Sequence, residues 1–247
     1  MFEKKIEFFA QEDYFNLKED YPKPVKMNVP DWYKKLKHTH LQRTVKGCMP
    51  FLDTLTMGYV LYTPISMTIT HNIKNEQGVP DTYIAVGDFF YDYVNVKRMN
   101  INTNEPQVHP CSQLEGSPAI EKNKNLPFYK IINPWVIKTP PGYSCLFVPP
   151  LNNSDDRFSI IPGIVDTDKV KTHINFPMII NGDKYPTLQT TIEKGTPYVQ
   201  IIPFKRDDWK MSVGKITTKD IVKNIWHWGL ENINIYKNRL WSRKKCK

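Results

Sequence analysis

Two carboxylates separated by one residue, Asp166 and Asp168, follow Gly163-Ile-Val, and six imidazoles are scattered at His38, His40, His71, His109, His173 and His227. Imidazole nitrogens ligate transition metals, and His38-Thr-His40 sets two of them on one face of an extended segment, while His109 stands two residues from Cys111. Neither pair has a carboxylate at facial-triad or zinc-site spacing. A metal centre would have to draw on distant residues, with His109 and His173 the pair available if the loop 108–116 closes over the core. Aspartate after a Gly-Ile-Val run also bonds backbone N–H groups in a tight turn, so Asp166 and Asp168 have a structural reading beside a chemical one. Gln200, inside the apolar run Tyr198-Val-Gln-Ile-Ile202, either contacts a ligand or satisfies buried backbone groups. Trp32, Tyr143, Trp209, Trp226, Trp228 and Trp241 offer stacking surfaces for bases, yet aromatics beside Pro-rich turns also anchor cores with their polar tips at solvent.

The elements that must position these groups are short. Trp135 to Phe147, Ile161 to Asp168 and Ile192 to Phe204 are apolar runs broken by Pro-Pro-Gly, Pro-Gly and Gly-Thr-Pro, the pattern of a strongly bent β fold. Gly163 and Gly195 are read as bends that a side chain would crowd. Upstream, 57–62 and the alternating run 65–70 predict strands, with 73–80 a hairpin loop and 82–86 the returning strand. Pro30 to Leu36 predicts a short helix that buries Trp32 and Leu36 and exposes its lysines. The aromatic run 89–94 follows the returning strand, and 100–125 is polar and without periodicity, a loop long enough to form a binding surface or a lid. From Thr218 to Leu240 the positions Val222, Ile225, Gly229, Ile233, Tyr236 and Leu240 share one helical face, with Thr217 or Thr218 as the cap and Asp220 in the first turn. The predicted architecture is mainly β: a compact clip-like or sandwich-like core over 46–209, an N-terminal clasp over 1–45, and a C-terminal amphipathic helix with a basic tail over 217–241 and beyond, all in one domain.

Composition narrows the classes. A chain of 247 residues with 40% hydrophobic content can bury a core, which excludes intrinsic disorder. The formal charge is +9, but Lys237, Arg239, Arg243, Lys244, Lys245 and Lys247 supply six of those charges within the last eleven positions. The body is nearly balanced, which argues against a nucleic-acid partner. The tail is read as keeping the chain soluble and complementing a helix C-terminus, with phosphate or an acidic partner surface as the alternative. Cys48, Cys111, Cys145 and Cys246 have no paired spacing, so neither a disulfide framework nor a metal finger is expected. No run reaches the roughly 18 apolar residues of a membrane span, and the first residues are polar, so a cytoplasmic protein of a bacterium or infected host cell is expected.

Pro30-Asp-Trp-Tyr-Lys34, Lys46-Gly-Cys-Met-Pro-Phe-Leu-Asp53, Asn133 to Phe147, Gly163 to Asp168 and Gly195 to Phe204 together resemble a family of uncharacterised proteins of marine tailed phages and bacteria. That resemblance covers most of the chain and implies a phage or bacterial origin without an activity. From Trp135 to Phe204, the Pro-Gly turn, the Gly-x-x-Asp-x-Asp block and the Gln-bearing strand are similar to the core of the dUTPase and dCTP deaminase β-clip. In that family the position matching Asp166 activates water, which implies a base that takes a proton beside a bound pyrophosphate. The chain departs from the pattern at Lys169, where the family has tyrosine, and at Val148 to Asn152, where it has Arg-Ser. A glycine-rich lid and an aspartate-rich metal motif are also missing.

These readings lead to an expected binder of a small ligand, nucleotides among the candidates, held beside Gly142, Tyr143, Asp166 and Asp168 with Gln200 and His109 as further contacts; turnover is left open and no cofactor is specified. Two alternatives stand beside it. One is a phage structural or assembly protein, with homo-oligomer or virion contacts and a virion location; the other is a metal-dependent oxygenase or hydrolase using His109 and His173.

Overall fold

The computed structural model describes residues 4–39, 41–72, 81–86, 108–223 and 236–247. It is mainly β, in several open antiparallel sheets with few short helices. The chain divides into two compact units, 1–23 with 58–205 and 24–57 with 206–247. The stretch expected to act as a clasp is therefore shared between the two units, and the core strands fall in the first.

In that first unit β9 (Tyr143–Val148) and β14 (Pro197–Lys205) form the centre of a sheet ordered β11-β9-β14-β3-β2, where β11 is Gly163–Val165, β3 is Tyr59–Tyr62 and β2 is Lys23–Pro24 at the unit boundary. The alternation of β9 is incomplete, and Ser144, Cys145 and Phe147 are buried, as expected of a strand with neighbours on both sides. Along β14, residues Pro197 to Ile201 pair with β3, whereas Gln200 to Lys205 pair with β9. Pro203 thus lies where β14 has one neighbour in the ladder, a setting in which a residue without an N–H fits a strand. Gly58 enters β3 with φ of +86°, and a β-carbon there would stand 2.1 Å from the Ile201 carbonyl oxygen.

A second sheet is ordered β10 (Phe158–Ile160), β12 (Phe176–Ile180), β7 (Phe128–Ile131) and β6 (Val108–His109), and a third is ordered β13 (Thr187–Ile192), β4 (Met67–Asn72) and β5 (Asp81–Val86). The predicted hairpin is present as β4 and β5, paired from Met67 with Val86 to Asn72 with Asp81; its loop, 73–80, and the aromatic run 89–94 lie outside the described residues. β1 (Glu7–Phe9) pairs with β8 (Val136–Lys138). One apolar cluster holds the unit together, including Tyr14, Trp135, Phe147, Phe176, Tyr198 and Ile201. Burial on this scale contributes roughly 1.5–3 kcal/mol per large side chain.

Three local expectations change. Within 108–125 the chain forms a 3₁₀ turn at Cys111–Leu114 and a helix at Pro118–Lys122, whose start is capped by Ser117 Oγ accepting the Ala119 N–H at 3.2 Å. Gly163 and Gly195 both have open space around the missing β-carbon, so neither is a crowded bend; glycine at 195 answers instead to a left-handed φ of +83°. In the second unit the helix is Asp31–Lys35, but Tyr33 is buried at 5% exposure and Trp32 is 41% exposed. Tyr33 stacks on Phe51 with ring centroids 5.9 Å apart and an interplanar angle of 21°. Five residues give barely more than one turn, so the helical phase is set by this contact rather than by the pattern.

Elsewhere in the second unit, Val25, Met49 and Leu55 are buried, Met49 as the first residue of the helix Met49–Thr54. Lys46 Nζ donates to the carbonyls of Lys34 and Leu36 at 2.8 and 2.9 Å, satisfying the open end of the Asp31–Lys35 helix. The later helix begins at residue 218, with Thr217 Oγ1 accepting the Asp220 N–H at 3.2 Å and donating to its carboxylate at 2.6 Å. Its predicted continuation through 224–235 lies outside the described residues, and 236–240 is a single π-helical turn.

Candidate functional site

The two motifs that drew attention in the sequence do meet. Pro140-Pro141-Gly142-Tyr143 closes a turn in which the Tyr143 N–H donates to the Pro140 carbonyl at 3.2 Å and Gly142 has φ of +84°, the pattern of a type II turn with proline and glycine in its central positions. Because β11 pairs with β9, this turn lies beside Asp166 to Lys169. The Gly142 N–H donates to Asp168 Oδ2 at 2.8 Å, and Ser144 Oγ donates to Asp166 Oδ1 at 2.7 Å. Thr139 Oγ1 and Thr167 Oγ1 bond at 2.7 Å, and Thr167 Oγ1 also donates to Cys145 Sγ at 3.3 Å. Lys169 Nζ stands 3.7 Å from Asp166 Oδ2.

Every carboxylate in this cluster is thus engaged in joining one turn to the other. Cys145 is no nucleophile, since burial pushes its thiol up to about 11, against the opposing effect of the Thr167 hydrogen bond. Tyr143 is half-buried, with Lys4 Nζ 5.2 Å from its ring centroid.

The other expected contacts are elsewhere. Gln200 pairs with Val148, at the far end of β9 from Tyr143, so five residues of strand, about 17 Å, separate it from the turn. It is fully buried, and its Oε1 accepts the Leu151 N–H at 3.0 Å, which fixes the loop after β9. His109 stacks on Phe128 at 5.4 Å and bonds Gln113 through Nδ1 at 2.9 Å. His173 is bonded to the backbone of Pro134, and burial holds its pKa below the usual imidazole value. His109 is thus held at the Phe128 end of β7 and His173 against the chain beyond its Ile131 end, each by its own partners. His38 Nδ1 accepts the Thr44 N–H at 3.0 Å, and His40 lies outside the described residues. Among the described residues, no three His, Cys, Asp or Glu side chains converge as a metal would require.

Among the described residues, two cavities offer themselves as ligand sites. The smaller, about 210 Å³, lies in the first unit between the loop 149–153 and Asn181, with Asp155, Asp156 and Tyr198 in its lining. Asp155 is committed to Arg157, and Asp156 to Lys184 and Tyr185, each at 2.7–2.8 Å or, for Arg157 Nη2, at 2.8 Å. The larger, about 440 Å³, is within the second unit and within the usual range for a small-molecule site. Lys26, Leu52, Thr56, Trp241, Arg243, Lys244, Lys245, Cys246 and Lys247 line it.

Its wall is fixed by one carboxylate. Asp53, on the helix Met49–Thr54, accepts the Trp241 Nε1–H at 3.0 Å through Oδ2 and at 3.2 Å through Oδ1, and takes Lys244 Nζ at 2.7 Å. The Asp53 side chain is only 13% exposed, so these bonds form with little competition from water. Lys26, Arg243 and Lys245 have no carboxylate partner among the described residues. The sequence showed the basic tail and Trp241 beside it, but nothing local connects either to Asp53, 188 residues away. Comparison of the chain with protein-family models, curated proteins and solved structures found no match.

Proposed function

We propose that the chain binds a small polyanionic ligand, of the phosphate-ester or pyrophosphate class, in the cavity beside Trp241. The observation that carries this reading is five cationic side chains lining one concavity of about 440 Å³, with Asp53 already engaged by Lys244 and the indole. Like charges crowded into a hollow raise the local positive potential, and a polyanion relieves that repulsion on binding. Arg243 offers a planar fork suited to two phosphate oxygens, while Lys26 and Lys245 act as point charges. A nucleotide is one member of the class, with Trp241 as the aromatic neighbour of its base.

The cavity suits a small molecule rather than a polymer, in keeping with the near-neutral body of the sequence. The turns at Gly142 and Asp166 serve here as scaffold, and no catalytic step is assigned to them. Thermal unfolding with added inorganic pyrophosphate, ATP and adenosine separates the contributions. Pyrophosphate and ATP should raise Tm, by the equivalent of about 2.7 kcal/mol at a hundredfold excess over Kd, and adenosine alone should not. No rise with either polyanion at low salt would refute the proposal.

A further inference from the structure

Beyond ligand binding, the segment that follows β14 has the chemistry of a self-pairing strand. Residues 206–217 form no helix, strand or turn, yet Trp209, Met211 and Val213 recur at every second position and are 90%, 91% and 88% exposed. Alternation of this kind is the pattern of a strand with one apolar face, and three large side chains in a row held in water is a standing cost unless something covers them. We propose that this arm pairs with the same arm of a second copy, as an antiparallel two-stranded ribbon centred on Met211.

The register follows from the residues on the apolar face, which read Asp207, Trp209, Met211, Val213 and Lys215. Laid antiparallel about Met211, Asp207 of each copy stands opposite Lys215 of the other, and Trp209 stands opposite Val213. An opposite-charge pair and an aromatic with a β-branched residue are both favourable cross-strand partners, and each occurs twice because the contact is two-fold symmetric. The other face brings Lys210 opposite Ser212 and Asp208 opposite Gly214, with no like charges meeting. Centring on Lys210 would oppose two lysines and set Asp207 against Val213. Centring on Ser212 would set Lys215 against Trp209. Only the Met211 register matches charge with charge and apolar with apolar, which is how a strand fixes its alignment.

Pairing covers only part of each apolar side chain, since all of them stand on one face of a two-stranded ribbon, so the contact falls below the roughly 1,000 Å² of a stable specific interface. The dimer is therefore weak and concentration-dependent. The full chain, run by analytical ultracentrifugation from about 5 to 300 µM, should shift from monomer to dimer. Asp207→Lys and Lys215→Asp should each move the midpoint of the shift at least tenfold higher in concentration, and the double exchange D207K/K215D should restore it. Restoration is the decisive readout, since a merely exposed tail would respond to neither charge. Lys215→Asp should keep the parent Tm, because the arm lies outside both cores, and the pyrophosphate response of all three variants reports separately on the cavity. A monomer throughout, or a dimer that ignores the single reversals or is not recovered by the exchange, would overturn the inference.

Discussion

Gly58→Ala is the perturbation whose cost can be worked most directly from the structure. Residue 58 has φ of +86°, which costs a side-chain-bearing residue about 1–2 kcal/mol. The new methyl would also stand 2.1 Å from the Ile201 carbonyl oxygen, and that atom is main chain in β14, so no rotamer change relieves it. Ile201 has no exposure and is paired on both sides, with Tyr59 and with Phe147, so moving it disturbs two ladders. Overpacking of this kind costs a further 1–3 kcal/mol or so. The total, about 2–5 kcal/mol, is a large fraction of ordinary domain stability. For a chain of this length it should lower Tm by about 4–20 °C. Gly163→Ala, where a β-carbon meets nothing within 4 Å, is the matched control and should stay within about 2 °C of the parent. Thermal unfolding followed by circular dichroism tests both, and a Gly58→Ala variant as stable as the control would refute the strand placement.

Asp168→Ala removes the acceptor for the Gly142 N–H and should cost about 1–2 kcal/mol in denaturant unfolding, while pyrophosphate binding stays unchanged. Asp53→Ala leaves Trp241 Nε1 and Lys244 without their shared carboxylate; trypsin should then cleave at Arg243 to Lys245 markedly faster than in the parent. Stability should also fall with acid. Burial lowers the pKa of both His71 and His173, so the unfolded chain takes up protons below about pH 6.5 that the folded chain resists. The stabilising effect of keeping them neutral is complete above that pH and is lost as pH falls below it. His71→Leu should reduce the slope of unfolding free energy between pH 6.5 and 5, and an unchanged slope would contradict this assignment.

What could be read from the sequence was local. Pro141-Gly142 dictated its turn because proline and glycine each admit few alternatives at those positions, and the runs at 57–62 and 192–204 announced strands by composition, which the structure places at Tyr59–Tyr62 and Pro197–Lys205. The meeting of the Gly142 turn with Asp166 followed once β9 and β11 paired. The basic cavity was not legible, because it depends on one carboxylate reaching an indole 188 positions later. Tyr33 replaced Trp32 in the core because Phe51, distant in sequence, supplied the stacking partner. The face expected over 218–240 is described only at its ends, where Val222 and Leu240 are exposed.

Isothermal titration of the full chain with inorganic pyrophosphate tests the central claim most directly. Three or four charge-assisted hydrogen bonds predict a Kd on the order of 1–100 µM at low salt, weakening as salt is raised. The triple variant Lys26→Ala, Arg243→Ala, Lys245→Ala should keep its Tm and lose the binding heat at least thirtyfold in affinity. Absence of binding by the parent chain, or binding that survives the triple substitution undiminished, would contradict a polyanion site at this cavity.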